Sequence, residues 1–149
     1  MKNFKKDSSG NSTAFFFKNE IPIINKKLLS NFVSYSKIKK DNIRLCLHSA
    51  KKDNLHSMLV LLYKRNNIDT PHKHLKKSEV YQIILGKIKI TLFLKKSKKY
   101  IVLDKNKPII KIPNNIFHLV QSISNISIFH ETRTGPFEIG DTKFSKNKM

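Results

Sequence analysis

From Ile43 to Phe129 the chain is a succession of short apolar runs with polar breaks about ten residues apart. Arg44-Leu45-Cys46-Leu47-His48 alternates, Met58 to Tyr63 is compact, and Val80 to Leu85 is closed by Gly86. Ile88, Ile90, Leu92 and Leu94 alternate with Lys87, Lys89, Thr91 and Phe93, a period of two that fits a half-buried strand. Tyr100–Leu103, Ile109–Ile112, Phe117–Val120 and Ile126–Phe129 complete the series. Runs this short and this regularly spaced predict a mainly β chain, an antiparallel sandwich or barrel. No internal sequence repeat is present.

The first third reads differently. Residues 1–14 are polar, with Ser8-Ser9-Gly10-Asn11-Ser12, and read as a flexible tail. Residues 15–42 read as an N-terminal segment carrying one helix. Asn25 can cap that helix, Leu28, Leu29, Phe32 and Val33 share one face, and the pattern fades by Lys39-Lys40. The β domain then occupies 43–149. Phe15-Phe16-Phe17 is too short for a signal-peptide core, and Lys18 and Glu20 close it off. No apolar run approaches the ~18 residues of a membrane span. The expectation is a cytoplasmic protein with no membrane partner. Cys46 is the single cysteine, so no internal disulfide is possible, and between Leu45 and Leu47 it reads as a small buried hydrophobe.

A formal net charge of +20 raises the question of a nucleic-acid partner. The basic residues are nearly all lysine, with arginine only at positions 44, 65 and 133. The lysines are scattered in pairs rather than interleaved with aromatics, which disfavours an RNA-binding stripe. Heavy use of lysine, asparagine and isoleucine together suits codon bias in an AT-rich genome. The field still favours anionic small ligands.

The densest chemical signal is Pro71-His72-Lys73-His74, then Glu79, then Gly86. His72 and His74 are two apart, so on a strand they face the same way. Glu79 follows five residues later, enough for a bend and a return alongside. Two imidazoles and a carboxylate on one inner face suit a divalent transition metal: Fe, Mn, Zn or Ni. His118, just after the turn-forming Pro113-Asn114-Asn115, is the candidate fourth ligand. A lone histidine is more often core or surface than ligand. The combination is what points to a metal.

The two segments, His72-x-His74-x4-Glu79-x6-Gly86 and Pro113-x-Asn115-x-x-His118, resemble the paired motifs of the cupin superfamily. Asn66 and Asn115 stand where that family usually has glycine. Asparagine is the best non-glycine residue for a left-handed backbone, so both replacements keep the turn conformation. Further segments resemble the WbuC-type cupin-fold metalloproteins. These are Arg44–His48, His56-Ser57-Met58-Leu59, Phe129-His130-Glu131, and Thr134-Gly135-Pro136-Phe137 with Asp141 behind it. The likeness runs from about Ile23 to Phe144. It implies a single cupin, jelly-roll-type antiparallel β-barrel with one N-terminal helix. It also implies a place in lipopolysaccharide O-antigen or capsule sugar biosynthesis.

Other polar residues suit the mouth of such a barrel. Arg44 and His48 share a face if one strand carries both. Arg44 fits either a phosphate or carboxylate clamp, hence a cofactor- or ligand-binding role, or an exposed strand end. Glu131 fits a general base, a ligand-orienting carboxylate or a plain salt bridge. Tyr81 shares the face of Glu79 and fits a general acid or a barrel filler. His56 reads as a capping or surface residue, and Gly135-Pro136-Phe137 as a turn that places an aromatic ring.

Three functions compete. The first is a metal-dependent isomerase or epimerase acting on a nucleotide-linked sugar, with Glu131, Tyr81 or His48 carrying the proton. The second is a sugar-binding or regulatory module without turnover. The third, a basic nucleic-acid-binding protein, is the least favoured. Unpaired barrel edges need covering, which suits a homodimer.

Overall fold

The structure is a computed structural model and describes residues 3–10, 12–18, 21–63 and 70–145. Asn66, one of the two asparagines at a motif glycine position, lies outside the described residues. Among the described residues, twelve strands and one helix follow in the order β1 (Phe4–Asp7), β2 (Thr13–Phe17), α1 (Lys26–Lys39), β3 (Ile43–Cys46), β4 (Leu55–Tyr63), β5 (His72–His74), β6 (Glu79–Leu85), β7 (Ile88–Phe93), β8 (Lys98–Leu103), β9 (Ile109–Ile112), β10 (Phe117–Ser122), β11 (Ile126–Thr134) and β12 (Thr142–Phe144). They form a seven-stranded sheet, β1-β2-β3-β4-β11-β6-β9, and a five-stranded sheet, β12-β5-β10-β7-β8. Every described strand pairing is antiparallel except β2 with β3.

The core is divided by the larger sheet. One apolar cluster fills the space between the sheets and includes Val60, Leu62, Ile83, Ile88, Ile90, Leu103, Ile112, Val120 and Phe129. A second lies on the opposite face, where α1 packs with Phe32 against Phe15, Ile43, Leu45, Leu59, Leu61 and Ile128. Strands β3 and β4 are therefore covered on both faces. That explains why Met58 to Leu62 is apolar without alternation: all five residues are buried. Helix α1 begins where its sequence predicts, with the Asn25 side chain accepting from the Leu28 N–H at 2.9 Å. It ends on Lys40 in a left-handed conformation.

The N-terminus departs from the expected tail. Residues 4–7 and 13–17 pair as an antiparallel hairpin, and β2 adds to the sheet beside β3. Phe15 and Phe17 pack beneath the helix while Phe16 joins the core between the sheets. The first strand, Phe-Lys-Lys-Asp, lies at the sheet edge and has little apolar pattern of its own, so its sequence resembles a solvated tail.

Two backbone positions bear on the site. Asn115 has φ 62°, the left-handed conformation expected of a residue at that turn, and its N–H donates to the His74 carbonyl. Gly86 has φ 75°, and a Cβ there would lie 2.5 Å from the Ile126 carbonyl oxygen.

Candidate metal centre

Strand β5 is only three residues long and is held on both sides. His118 of β10 lies opposite His72, and Thr142 of β12 lies opposite His74. Alternation turns His72 and His74 toward the facing sheet. Glu79, the first residue of β6, reaches back from that sheet. One side-chain donor atom from each of His72, His74 and Glu79 lies within 4.8 Å of the others. His118 adjoins through Glu79: its Nε2 is 3.1 Å from Oε2, while His74 Nε2 is 2.9 Å from Oε1. The His72 and His118 ring centroids are 4.4 Å apart. Three of the four expected ligands thus meet at one place between the sheets, and the fourth, His118, contacts Glu79.

Their surroundings fix the orientation of each. His74 Nδ1 lies 3.1 Å from Thr142 Oγ1 and 3.5 Å from Asp141 Oδ2. Asp141 is itself held by the Lys76 N–H at 2.9 Å. A carboxylate and a hydroxyl at Nδ1 fix the ring so that Nε2 faces the cluster. His118 Nδ1 lies 3.0 Å from the Ile116 carbonyl, which likewise turns Nε2 inward. Tyr81 donates its hydroxyl hydrogen to Glu79 Oε2 at 2.8 Å. His72 Nδ1 is buried with no hydrogen-bond partner among the described residues. Burial, reinforced by the nearby His118, lowers the His72 pKa to about 4, so the ring is neutral and keeps a lone pair. An orphaned ring nitrogen beside three other nitrogen and oxygen donors fits a divalent transition metal.

Charge in the cluster is set by Glu79. Burial opposes its ionisation, but hydrogen bonds from His118 and His74 prevail and hold the carboxyl well below the usual carboxylate range. His118 responds in kind: burial opposes its protonation, yet Glu79 raises its pKa. The positive charge nearest Glu79 on its own sheet is Arg133, its cross-strand partner on β11. Arg133 Nη1 lies 2.9 Å from His74 Nε2 and 3.3 Å from Glu79 Oε1. Nothing in the sequence reading singled out Arg133 beyond its place among the arginines. Its signal was the two-residue step from Glu131, the same step that links His72 and His74.

The cluster opens on a cavity of about 300 Å³, whose lining includes Arg44, His72, His74, Glu79, Tyr81, Glu131 and Arg133. Burial, with Glu79 beside it, raises the Glu131 pKa against the opposing pull of Arg133 and Arg44. Arg44 donates through Nη2 to the Ser12 carbonyl at 3.0 Å, and its buried Nε has no partner among the described residues. Phe137 also lines this space, as expected of an aromatic ring set by the Gly135-Pro136 turn. Gly135 is required there, since a Cβ would lie 1.7 Å from the Asp53 carbonyl oxygen.

His48 is the exception among the expected catalytic residues, for it is not among those lining the cavity. Strand β3 ends at Cys46, so the alternation that would align His48 with Arg44 stops short of it. His48 instead stacks on His56 with centroids 4.4 Å apart and rings 7° from parallel. His56 is buried rather than exposed, with Nε2 3.1 Å from the Lys51 carbonyl. Cys46 is buried as expected, and burial pushes its thiol pKa up to about 12, which makes it inert.

No protein-family profile matches this chain, and no curated protein matches its sequence. Solved structures do. CapF, a capsular polysaccharide assembling protein from Staphylococcus aureus, is 15% identical with a TM-score of 0.56, over 70% of this chain and 31% of that one. Oxalate decarboxylase from Bacillus subtilis is 21% identical with a TM-score of 0.53, over 62% of this chain and 24% of that one. These neighbours are cupin-fold proteins. A third is QdtA, a sugar 3,4-ketoisomerase from Thermoanaerobacterium thermosaccharolyticum in complex with TDP, 17% identical with a TM-score of 0.51, over 59% of this chain and 66% of that one. At such identities the shared property is the cupin fold. This chain's match spans less than a third of CapF or oxalate decarboxylase. The decarboxylase is described with Mn(II) centres, and CapF has been solved with an inhibitor, 3-isopropenyl-tropolone. No described helix is long and apolar enough to cross a membrane.

Proposed function

We propose that this chain is a metal-binding cupin of bacterial surface-polysaccharide biosynthesis, of the WbuC type. In this reading it isomerises or epimerises a nucleotide-linked sugar. The observation that carries the reading is the convergence of His72, His74 and Glu79, with His118 against Glu79, at a cavity that Glu131 and Arg44 also line. A divalent metal held by His72, His74 and Glu79, with His118 beside them, would supply Lewis acidity toward a sugar carbonyl. Glu131 carries the proton: it lines the cavity, and burial raises its pKa above the ordinary carboxylate value. Tyr81 is already committed to Glu79 and orients that ligand. Arg44 lines the cavity and takes a phosphate or other anionic group of the ligand. A cavity of about 300 Å³ is at the small end of ligand sites and suits a single sugar ring better than a whole nucleotide sugar. The nucleotide then lies outside it. The neighbours named for capsular polysaccharide assembly and sugar ketoisomerisation support this setting.

The test is solvent exchange. The metal-loaded protein is incubated in D2O with dTDP-linked 4-keto sugars, and deuterium next to the carbonyl is followed by NMR. The proposal expects incorporation that Glu131→Gln reduces by about 10²-fold or more. Saturable binding without exchange would leave the second reading, a sugar-binding module without turnover.

A further inference from the structure

Strand registers bring together residues that the sequence keeps apart. In β7 the side chains of Ile88, Ile90 and Leu92 join the core, so Lys89, Thr91 and Phe93 point outward. By the same alternation β8 turns out Lys98, Tyr100 and Val102, and β10 turns out Phe117 and Gln121. Lys73 of β5 and Lys143 of β12 each stand between residues that line the cavity, so they too face outward. Cross-strand pairing sets Lys143 opposite Lys73, Phe117 opposite Phe93, and Phe93 opposite Lys98. Lys73 Nζ lies 4.8 Å from the centre of the Phe117 ring, and Lys98 Nζ lies 5.4 Å from that of Phe93. One row thus runs from Lys143 through Lys73, Phe117 and Phe93 to Lys98, with Tyr100 beside it opposite Thr91.

The row is open, and composition alone does not produce it. Helix α1 packs on the larger sheet, Tyr100 is 63% exposed, and Lys98 and Lys143 are exposed. None of these outward residues is acidic. By contrast, β6 and β9 of the larger sheet turn out Val80, Gln82, Ile109 and Lys111, one lysine and no ring. Rings flanked by cations on an open sheet suit a single-stranded nucleic acid, whose bases stack on aromatic faces while lysines meet the phosphates. A second copy of the chain fits poorly, since it would set lysine against lysine. We propose that the outer face of the five-stranded sheet binds single-stranded nucleic acid, with Phe93, Tyr100 and Phe117 as the stacking platform and Lys73, Lys89, Lys98 and Lys143 as phosphate partners. Lysines supply charge without the forked geometry that reads a base edge, so the binding is independent of sequence. The surface lies on the side of β5 away from His72 and His74, and it does not rest on the metal-binding reading.

The probe is a short fluorescein-labelled oligothymidylate, with an oligouridylate beside it, titrated with the full chain and read by anisotropy over a range of salt. Phosphate contacts from the four lysines predict a slope of about −3 in log affinity against log salt. Lys89→Gln, Lys98→Gln and Lys143→Gln combined should weaken binding by about tenfold or more and flatten that slope by about 2. Lys26→Gln, Lys27→Gln and Lys39→Gln combined remove the same charge from exposed positions on α1, on the far side of the larger sheet. They should change affinity by less than about twofold, because salt screens charges at that distance. Tyr100→Ala should weaken binding by about fivefold or more with the slope unchanged, because stacking releases no counterions. Its exposed position keeps this variant folded, as circular dichroism checks. Equal effects of the two lysine triples, or a Tyr100→Ala variant that binds like the wild type, overturn the proposal and reduce the binding to bulk charge. So does an absence of binding at low salt, a polygalacturonate that binds more tightly than either oligonucleotide, or a dimer in sedimentation that Tyr100→Ala dissolves. None of these outcomes touches the metal site, which stands or falls on its own ligands.

Discussion

Asp141 and His118 show how single residues tune this centre from opposite sides. Asp141 touches no open part of the cluster, yet it sits at His74 Nδ1 and so selects the nitrogen that faces inward. Replacing it with asparagine should weaken metal binding by about 10-fold or more while leaving the fold intact, as read by calorimetric titration beside circular dichroism. His118 predicts the pH dependence. Burial disfavours its charged form, but Glu79 outweighs burial and raises its pKa, so the metal-free protein holds a proton on His118 above the ordinary histidine range. A metal must displace that proton. Affinity should therefore be constant at high pH and begin to fall while the pH is still above about 6.5, then drop by about tenfold per further pH unit. Titrations across this range in His118→Ala should lose that onset. The ligands themselves were legible because a His-x-His pair keeps its meaning on any strand. Arg133 was not, because one arginine on a strand reads the same whether it faces water or a buried carboxylate. His48 misled for a related reason: alternation holds only while the strand continues, and β3 stops at Cys46.

At the scale of elements, the turn before β10 places His118. Asn115 holds φ 62° there, its N–H donates to the His74 carbonyl at 2.6 Å, and its side chain accepts from Lys73 Nζ at 2.6 Å. The turn thus ties the two ligand-bearing strands together. Asn115→Gly should be tolerated, while Asn115→Ala should cost about 1–2 kcal/mol in urea unfolding, since alanine pays the full penalty of a left-handed backbone. Helix α1 and the strands from Ile43 onward were readable, since cap and periodicity are local properties. The β1–β2 hairpin was not. Its place depends on β2 lying parallel beside β3, a contact between distant segments, and β1 carries two lysines in its four residues. Phe15-Phe16-Phe17 made sense only once both faces of β2 were seen to be covered.

For the whole molecule, two sheets enclose a core that leaves one end polar. The apolar residues between the sheets give way at β5, the first residue of β6 and the start of β10 to three histidines and a glutamate. Burying four such groups together is costly unless a cation unites them. That makes metal content the most direct test of the account. The protein is purified without a metal-chelating tag, and bound metals are measured by elemental mass spectrometry beside a His72→Ala, His74→Ala double variant. The account predicts roughly one transition-metal equivalent per chain, lost in the variant. A wild-type protein that holds no metal even after reconstitution, with a variant that folds equally well, would contradict it.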